Sequence, residues 1–516
     1  MRSNSDNHAT ASKRIAIIGG GISGLAAAFF AREHTARRGL PAEVVLLEEQ
    51  PRLGGVIETI CRDDFLIECG PDSFITEKPW ALALTRELGL ESEMIGTREQ
   101  NRRAYVVCRG RLAEIPPGFF MLGPTRLGPL VQSSILSPLG KLRAGLDLLL
   151  PRGRAGADES VASFVLRRFG RETLDRLAQP LTSAVYGVAP DRLSVKAAAP
   201  RFLELEQRYR SVILGLRALA RARATTTNHA SGARLGLFVS FRRGMTTLVE
   251  ALARSLGERA LVRARANALV KDGLRWRVEL SASTRSNAEQ TIVADGVIIA
   301  TQAPEAARLT MPHAPKAARL LEEITYSRST LVTLAYPAAD VAARLHGSGF
   351  VVPRIEGRRI IACTFSSLKF PGRAPTNCVL VRASVDGQTG AGTMALGDAE
   401  LGEAVRAELE NLLGLRAAPL FCHVQRHNRA MPEYVVGHLE RVDAIQREIE
   451  AIGALELCGA AYRGIGIADC VRSGEIAAQG VIDYLFGRDA AASGSDSRLG
   501  TADEAGSAKT AIGGTR

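Results

Sequence analysis

The chain has no hydrophobic run long enough to cross a bilayer, and its polar opening residues, Met1 to Ser12, carry no secretory pattern. A cytoplasmic protein is therefore expected. Its eight cysteines are scattered, without a CxxC pair and without histidines at metal-ligand spacing. That argues against a zinc module and a disulfide framework, so reduced core thiols are expected, with neither metal nor disulfide. Only 5% of residues are aromatic, and despite a formal charge of +12 the sequence has no basic-aromatic module of the nucleic-acid-binding kind. No nucleic-acid partner is expected. The charge fits an anionic membrane surface, a polycarboxylate substrate or a plain arginine-rich solvated surface, and it does not choose among them. No Ser-His-Asp set, paired carboxylates or internal repeats are evident.

What the chain does have is glycine in informative places. Arg14 to Gly24 reads Arg-Ile-Ala-Ile-Ile-Gly-Gly-Gly-Ile-Ser-Gly, and a second apolar run, Val44 to Leu47, ends in Glu48. A β-branched strand, a glycine turn, a small-residue helix from Ser23 to Arg38, a second strand and a terminal acid make one βαβ unit. Gly19 takes the tight turn, Gly21 lets backbone approach a pyrophosphate, and Gly24 lets the helix pack close to the sheet. Ile22 and Ser23 open the helix, whose N-terminus faces the phosphates. Glu48 is placed to accept hydrogen bonds from a ribose. The reading is a dinucleotide site.

A second glycine pair follows at once in Arg52-Leu53-Gly54-Gly55, which keeps backbone close to the cofactor with Arg52 near its oxygens. This Arg-x-Gly-Gly extension resembles flavin-binding amine-oxidase-like proteins more than nicotinamide dehydrogenases. Far along the chain, Leu455 to Gly474 reads as a strand, a loop carrying Gly459, Gly464 and Gly466, and a helix from Ile467 and Asp469 to about Phe486. Ser240 to Leu248, a helix to Leu256 and a strand from Ala260 to Arg263 lie between, followed by a buried strand that breaks at Thr301 and Gln302. Such distant strand–loop pieces suit one long cofactor, non-covalent FAD, held by an interrupted domain.

The expected fold class is α/β, a Rossmann-like FAD-binding domain split along the chain, with a mixed α+β substrate domain and a helical membrane-associating domain. In order, the expected division is a disordered lead (1–12), a first FAD-binding segment (13–78), a first substrate-domain segment (79–115) and the helical domain (116–217). A mobile linker (218–235), a second FAD-binding segment (236–309), a second substrate-domain segment (310–452), a third FAD-binding segment (453–486) and a disordered tail (487–516) complete it. Helical spacing covers Trp80–Leu88, Leu139–Leu150, Ser160–Phe169, Arg171–Gln179 and Phe202–Leu219. The stretch from Pro116 to Leu150 interleaves aromatic, aliphatic and basic residues, as a membrane-interface segment or an ordinary core does.

Five blocks in order carry a family resemblance over nearly the whole chain. Gly70-Pro-Asp-Ser-Phe74, Glu206 to Gly215, Ser240 to Met245, Pro432 to Arg441 and Gly464 to Cys470 resemble the oxygen-dependent porphyrinogen oxidases of haem biosynthesis. The resemblance implies a split FAD domain, a substrate domain on an antiparallel sheet and a helical domain for membrane attachment. It also implies flavin-dependent six-electron oxidation of a porphyrinogen to the porphyrin, with oxygen reduced to hydrogen peroxide. The flavin carries that chemistry, so no catalytic side chain is assigned. The implied partners are the porphyrinogen and oxygen, with peripheral contact on the inner face of the cell membrane and a homodimer as further candidates.

By position in the resemblance, Val262 lies at the adenine, Thr301 and Gln302 line the flavin, and Lys78 clamps a substrate carboxylate. Relatives acting on protoporphyrinogen IX carry an arginine just before the strand that here begins at Tyr105. Counted back from Gly110, that position is Ala104, with Arg103 and Arg102 one and two residues earlier. A one-residue slip turns a side chain to the other face. Either Arg103 or Arg102 still reaches a propionate, or Lys78 is the clamp, as in relatives acting on coproporphyrinogen III. His438, within the fourth block, reads as structural. The alternatives are a flavin amine oxidase, which should show an aromatic cage near Gly459, a carotenoid desaturase, which lacks the first and fourth blocks, and a non-catalytic FAD scaffold.

Overall fold

The structure is a computed structural model that describes residues 12–154, 156–226, 236–281, 290–386, 393 and 395–495. Its centre is a five-stranded parallel sheet built from three distant stretches of the chain. Strand β1 (Lys13–Ile18) lies between β2 (Ala42–Glu48) and Gly296–Ile299, with Ala260–Val262 beyond β2 and Leu455–Leu457 at the other edge. Ile15, Ala16, Ile17 and Ile18 are all buried, as an apolar run without alternation requires when both sheet faces are covered.

Helix α1 (Ile22–Arg37) is buried all round from Ile22 to Ala31, because it is packed between the sheet and the C-terminal helix Ile467–Ser495. Small residues at the contact permit this, since a Cβ at Gly474 would overlap the Ser23 carbonyl. Registers place Ile18 opposite both Leu47 and Ile299, Val262 opposite Glu48 and Ile299 opposite Leu457. All five strands therefore end at one level, where open α/β sheets bind ligands.

A seven-stranded sheet forms the second layer system, in the order Phe421–Pro432, Tyr326–Pro337, Cys378–Asp386, Ile360–Thr364, Gly349–Val351, Ala104–Cys108 and Arg111–Glu114. It is not wholly antiparallel as expected: Gly349–Val351 and Ala104–Cys108 run parallel, because the Ala104 hairpin enters from a remote stretch of the chain. The expected mixed α+β character holds. Between Leu127 and Thr226 the chain is helical around Phe164, Phe169, Leu177, Phe202 and Ile213.

Several element expectations change: Arg171–Gln179 runs on through a π-helical turn at Leu174–Ala178 to Tyr186, and the expected linker from 218 is helix as far as Thr226. Phe202–Leu219 is two helices, Pro200–Tyr209 and Val212–Thr226, parted at Arg210, whose φ is 64°. The break is held by the buried Arg168, which donates to the Arg210 carbonyl at 2.6 Å and to Asp147 at 2.6 Å. Asp147 also accepts the Ser211 hydroxyl at 2.6 Å. The Leu139–Leu150 helix is likewise shorter, Pro138–Gly145 followed by a tighter turn at Leu146–Leu148. The expected tail from Gly487 begins as helix, which runs to Ser495; residues 1–11, 227–235 and 496–516 lie outside the described residues. Among the described residues no helix is long and apolar enough to cross a membrane.

Candidate functional site

The carboxyl ends of the parallel strands bring together most of the glycines read as cofactor residues. Gly19 has φ of 112°, and a Cβ there would stand 2.8 Å from the Ala300 carbonyl oxygen, so only glycine fits between β1 and the strand leading to Thr301. Gly54 donates to the Gly20 carbonyl at 2.8 Å and bridges Gly21 in parallel. The second glycine pair thus lies directly on the first turn. Glu48 is buried, accepts the Gly20 N–H at 2.6 Å and the Gln50 N–H at 2.7 Å, and its carboxyl is raised by burial against those two stabilising contacts. Val262 stands beside it.

Helix α1 has no side-chain cap and no acid in its first turn, and a Cβ on Gly21 would meet nothing. No side chain caps its N-terminal N–H groups, an arrangement that an anionic pyrophosphate would complete. Gly21, Ile22, Ser23 and Gly24 form that end. Arg52 folds back on its own loop, donating to the Gly55 carbonyl at 2.7 Å and pairing with Glu58 at 3.1 Å, so it shapes the glycine pair. Gly459 follows the edge strand, and its N–H donates to Ser473 at 3.0 Å.

At the end of the Gly459–Gly466 loop, Asp469 directs both carboxylate oxygens to the Lys78 ammonium, each at 2.6 Å. Asp469, read from sequence as a cofactor residue, is thus the partner of Lys78, read as the substrate clamp, and its carboxylate is taken up there. Arg102 packs against Gly236, whose carbonyl accepts the Thr76 hydroxyl at 2.9 Å, two residues before Lys78. Arg102 also pairs with Glu99 at 3.4 Å, and Arg103 lies 3.8 Å from Glu114 on the neighbouring strand. Ala104 opens its strand, paired with Gly349, and has no side chain that reaches a propionate. Gln302 donates to the Arg429 carbonyl at 3.1 Å, and the Thr301 hydroxyl turns to the Gln302 carbonyl at 3.3 Å.

The first and fourth sequence blocks prove to be buried polar locks around this site. Tyr434 donates to the Ala460 carbonyl at 2.6 Å and accepts the Gly464 N–H at 2.7 Å, and His438 bonds the Tyr462 carbonyl at 2.9 Å while stacking on Tyr434. The fourth block therefore fastens the Gly459–Gly466 loop. Burial holds the His438 imidazole down at about 4, so it stays neutral and structural. Asp72, in the first block, is bound by Lys369 at 2.9 Å and Arg382 at 3.3 Å. Burial alone would raise its carboxyl, but those two cations outweigh burial and hold it well below the usual carboxylate range. Arg382 also donates to the Gly70 carbonyl at 2.7 Å, fastening this loop to the large sheet. Lys369 and Arg382 escaped the sequence reading, for neither sits in a motif; only the buried partner Asp72 gave a signal.

The split parallel sheet, the uncapped helix and the three glycine loops define an FAD-dependent oxidoreductase. The chain belongs to the flavin-containing amine oxidoreductase family, whose model matches residues 22–482. A coproporphyrinogen III oxidase of Bacillus subtilis is 32% identical over 481 residues, covering 92% of this chain and 99% of its own. A human protoporphyrinogen oxidase is 31% identical, covering 91% and 98%. A crystal structure from Exiguobacterium, described as a candidate protoporphyrinogen oxidase, matches with a TM-score of 0.78 at 29% identity, covering 91% of this chain and 99% of its own.

Proposed function

We propose that this protein oxidises coproporphyrinogen III to coproporphyrin III, removing six electrons and six protons in two-electron steps and passing them to oxygen as hydrogen peroxide. The observation that carries the substrate choice is the cationic Lys78 beside the cofactor-side loop, with Ala104 where an arginine would stand and Arg103 turned to Glu114. Relatives named for coproporphyrinogen III, at 32–34% identity, support it. FAD, when bound, supplies the hydride acceptor. The protein supplies placement: Gly21 to Gly24, Glu48, Gly54, Gly55, Val262, Thr301, Gly459, Gly464, Gly466 and Ile467 hold the cofactor, and Lys78, with Arg102 in support, holds substrate propionates.

We further infer a peripheral membrane contact. Leu139, Leu142, Leu146 and Leu149 are all exposed and spaced three or four residues apart, with Lys141, Arg152 and Arg154 close in sequence. Exposed apolar side chains with cations close in sequence suit an anionic bilayer surface on the cytoplasmic side.

The test is to supply coproporphyrinogen III and protoporphyrinogen IX separately, in air, to the purified flavoprotein. Porphyrin fluorescence and peroxide should rise faster with coproporphyrinogen III. Fluorescence from neither overturns the reaction, and a faster rate with protoporphyrinogen IX overturns the substrate.

A further inference from the structure

We infer that Asp469 is a positioning residue that aims Lys78 at the substrate; the inference rests on the reading of Lys78 as the carboxylate clamp. An ammonium has three N–H donors on a flexible stem. The Lys78 nitrogen stands 2.6 Å from both Oδ1 and Oδ2 of Asp469, so the carboxylate takes up one side of the ammonium. The N–H donors on the other side of the nitrogen face away from Asp469 and are left for a ligand. Without that carboxylate the ammonium would rotate freely in its half-open setting, where Lys78 keeps 40% of its side-chain exposure.

Asp469 is itself fixed, with 14% exposure. It lies in the first turn of the C-terminal helix, where the helix dipole favours an anion. Gly464, with φ of 154°, leaves the room it occupies, since a Cβ there would overlap the carboxyl group, and Gly466 borders it as well. The loop bearing those glycines is in turn held by Tyr434 and His438. A chain of contacts therefore runs from the rigid helix start to the lysine, which immediately precedes the helix Pro79–Glu87 (α2). Tethering a rotamer-rich donor before the ligand arrives lowers the cost of ordering it on binding. An exposed lysine with no such tether would bind a propionate more weakly.

A double-mutant cycle on the holoenzyme tests this, with Lys78→Met, Asp469→Asn, both together, and Asp469→Glu. KM and kcat with coproporphyrinogen III are read alongside FAD content and the Kd for coproporphyrin III from fluorescence quenching. Asp469→Asn should raise KM and Kd about threefold to tenfold, with kcat within about twofold and FAD content unchanged. Adding it to Lys78→Met should change neither constant further. Asp469→Glu, which keeps the charge and displaces the ammonium, should fall between wild type and Asn, and it serves as the probe if the Asn variant does not fold. Additive effects, loss of FAD, or an unchanged KM in Asp469→Asn while Lys78→Met raises KM would overturn the positioning role alone. An unchanged KM in Lys78→Met would overturn the clamp reading, and this inference with it.

Discussion

The Glu48 carboxylate accepts the Gly20 N–H at 2.6 Å, so the acid that ends β2 closes the glycine turn that ends β1. The contact spans the carboxyl edge of the sheet and leaves Glu48 buried beside Val262. Truncation to alanine would strand the Gly20 and Gln50 N–H groups at once. Glu48→Ala should cost about 1–3 kcal/mol of stability by the usual penalty for an unpaired buried donor, and should lower FAD content in the purified protein. Flavin absorbance per mole and denaturant midpoints check this. A variant that retains full flavin would show that the acid serves the turn only.

Asp72 gives a second, larger effect. Its carboxylate is the shared counter-ion of Lys369 and Arg382, all three largely buried. Asp72→Asn keeps the shape and removes the charge, leaving two buried cations short of compensation. Breaking such a pair typically costs about 3–5 kcal/mol. Because the folded carboxyl lies below its unfolded value, its stabilisation is complete above the unfolded value and fades as the pH falls through the folded one. Urea unfolding of both proteins at neutral pH should show the gap, and a loss under about 1 kcal/mol would refute it.

The parallel half of the fold was legible because buried strands announce themselves. Ile15 to Ile18 and Val44 to Leu47 are unbroken apolar runs bounded by glycine and an acid, and the structure pairs them residue for residue. The helical region was legible only as a set of apolar spacings. Phe202 to Leu219 keeps one period across Arg210, yet a buried Arg168 from another helix pins the chain there and divides it. The same limit hid the Asp72–Lys369 contact, which joins residues 297 apart. Periodicity reports what a segment does alone, whereas these contacts depend on where distant segments arrive. The glycine loops fell between these cases: their residue types exposed them, but the pairing of Lys78 with Asp469 required the fold.

His438 makes the pH dependence testable. Burial drops its folded value to about 4 from an ordinary 6.5, so the unfolded chain binds more protons between those two values. Stability contributed by neutral His438 is therefore full above about 6.5 and is lost as the pH falls toward 4, with about 3 kcal/mol at stake from 1.36 kcal/mol per unit. His438→Gln retains a donor for the Tyr462 carbonyl and removes the titration. Tm measured from pH 7 to 4 should fall more steeply in the wild type than in the variant. Parallel curves would mean that other groups set the acid limit.

The exposed leucines yield the last prediction. Leu139, Leu142 and Leu149 are 78, 65 and 72% exposed, and nothing else in the described chain covers them. Full burial of a leucine contributes roughly 1.5–3 kcal/mol, so even partial insertion of several gives measurable binding. Replacing Leu139 and Leu142 with glutamate removes that area and places negative charge close in sequence to Lys141, Arg152 and Arg154. The wild type should co-sediment with phosphatidylglycerol vesicles, less so with neutral phosphatidylcholine, and binding should weaken with salt because the cations contribute. The double variant should lose at least about tenfold in partitioning while keeping its Tm, since the replaced side chains touch solvent and not the core. Equal partitioning of both proteins would assign any membrane affinity to another face. A lower Tm in the variant would mean that these leucines are packed in the folded protein after all.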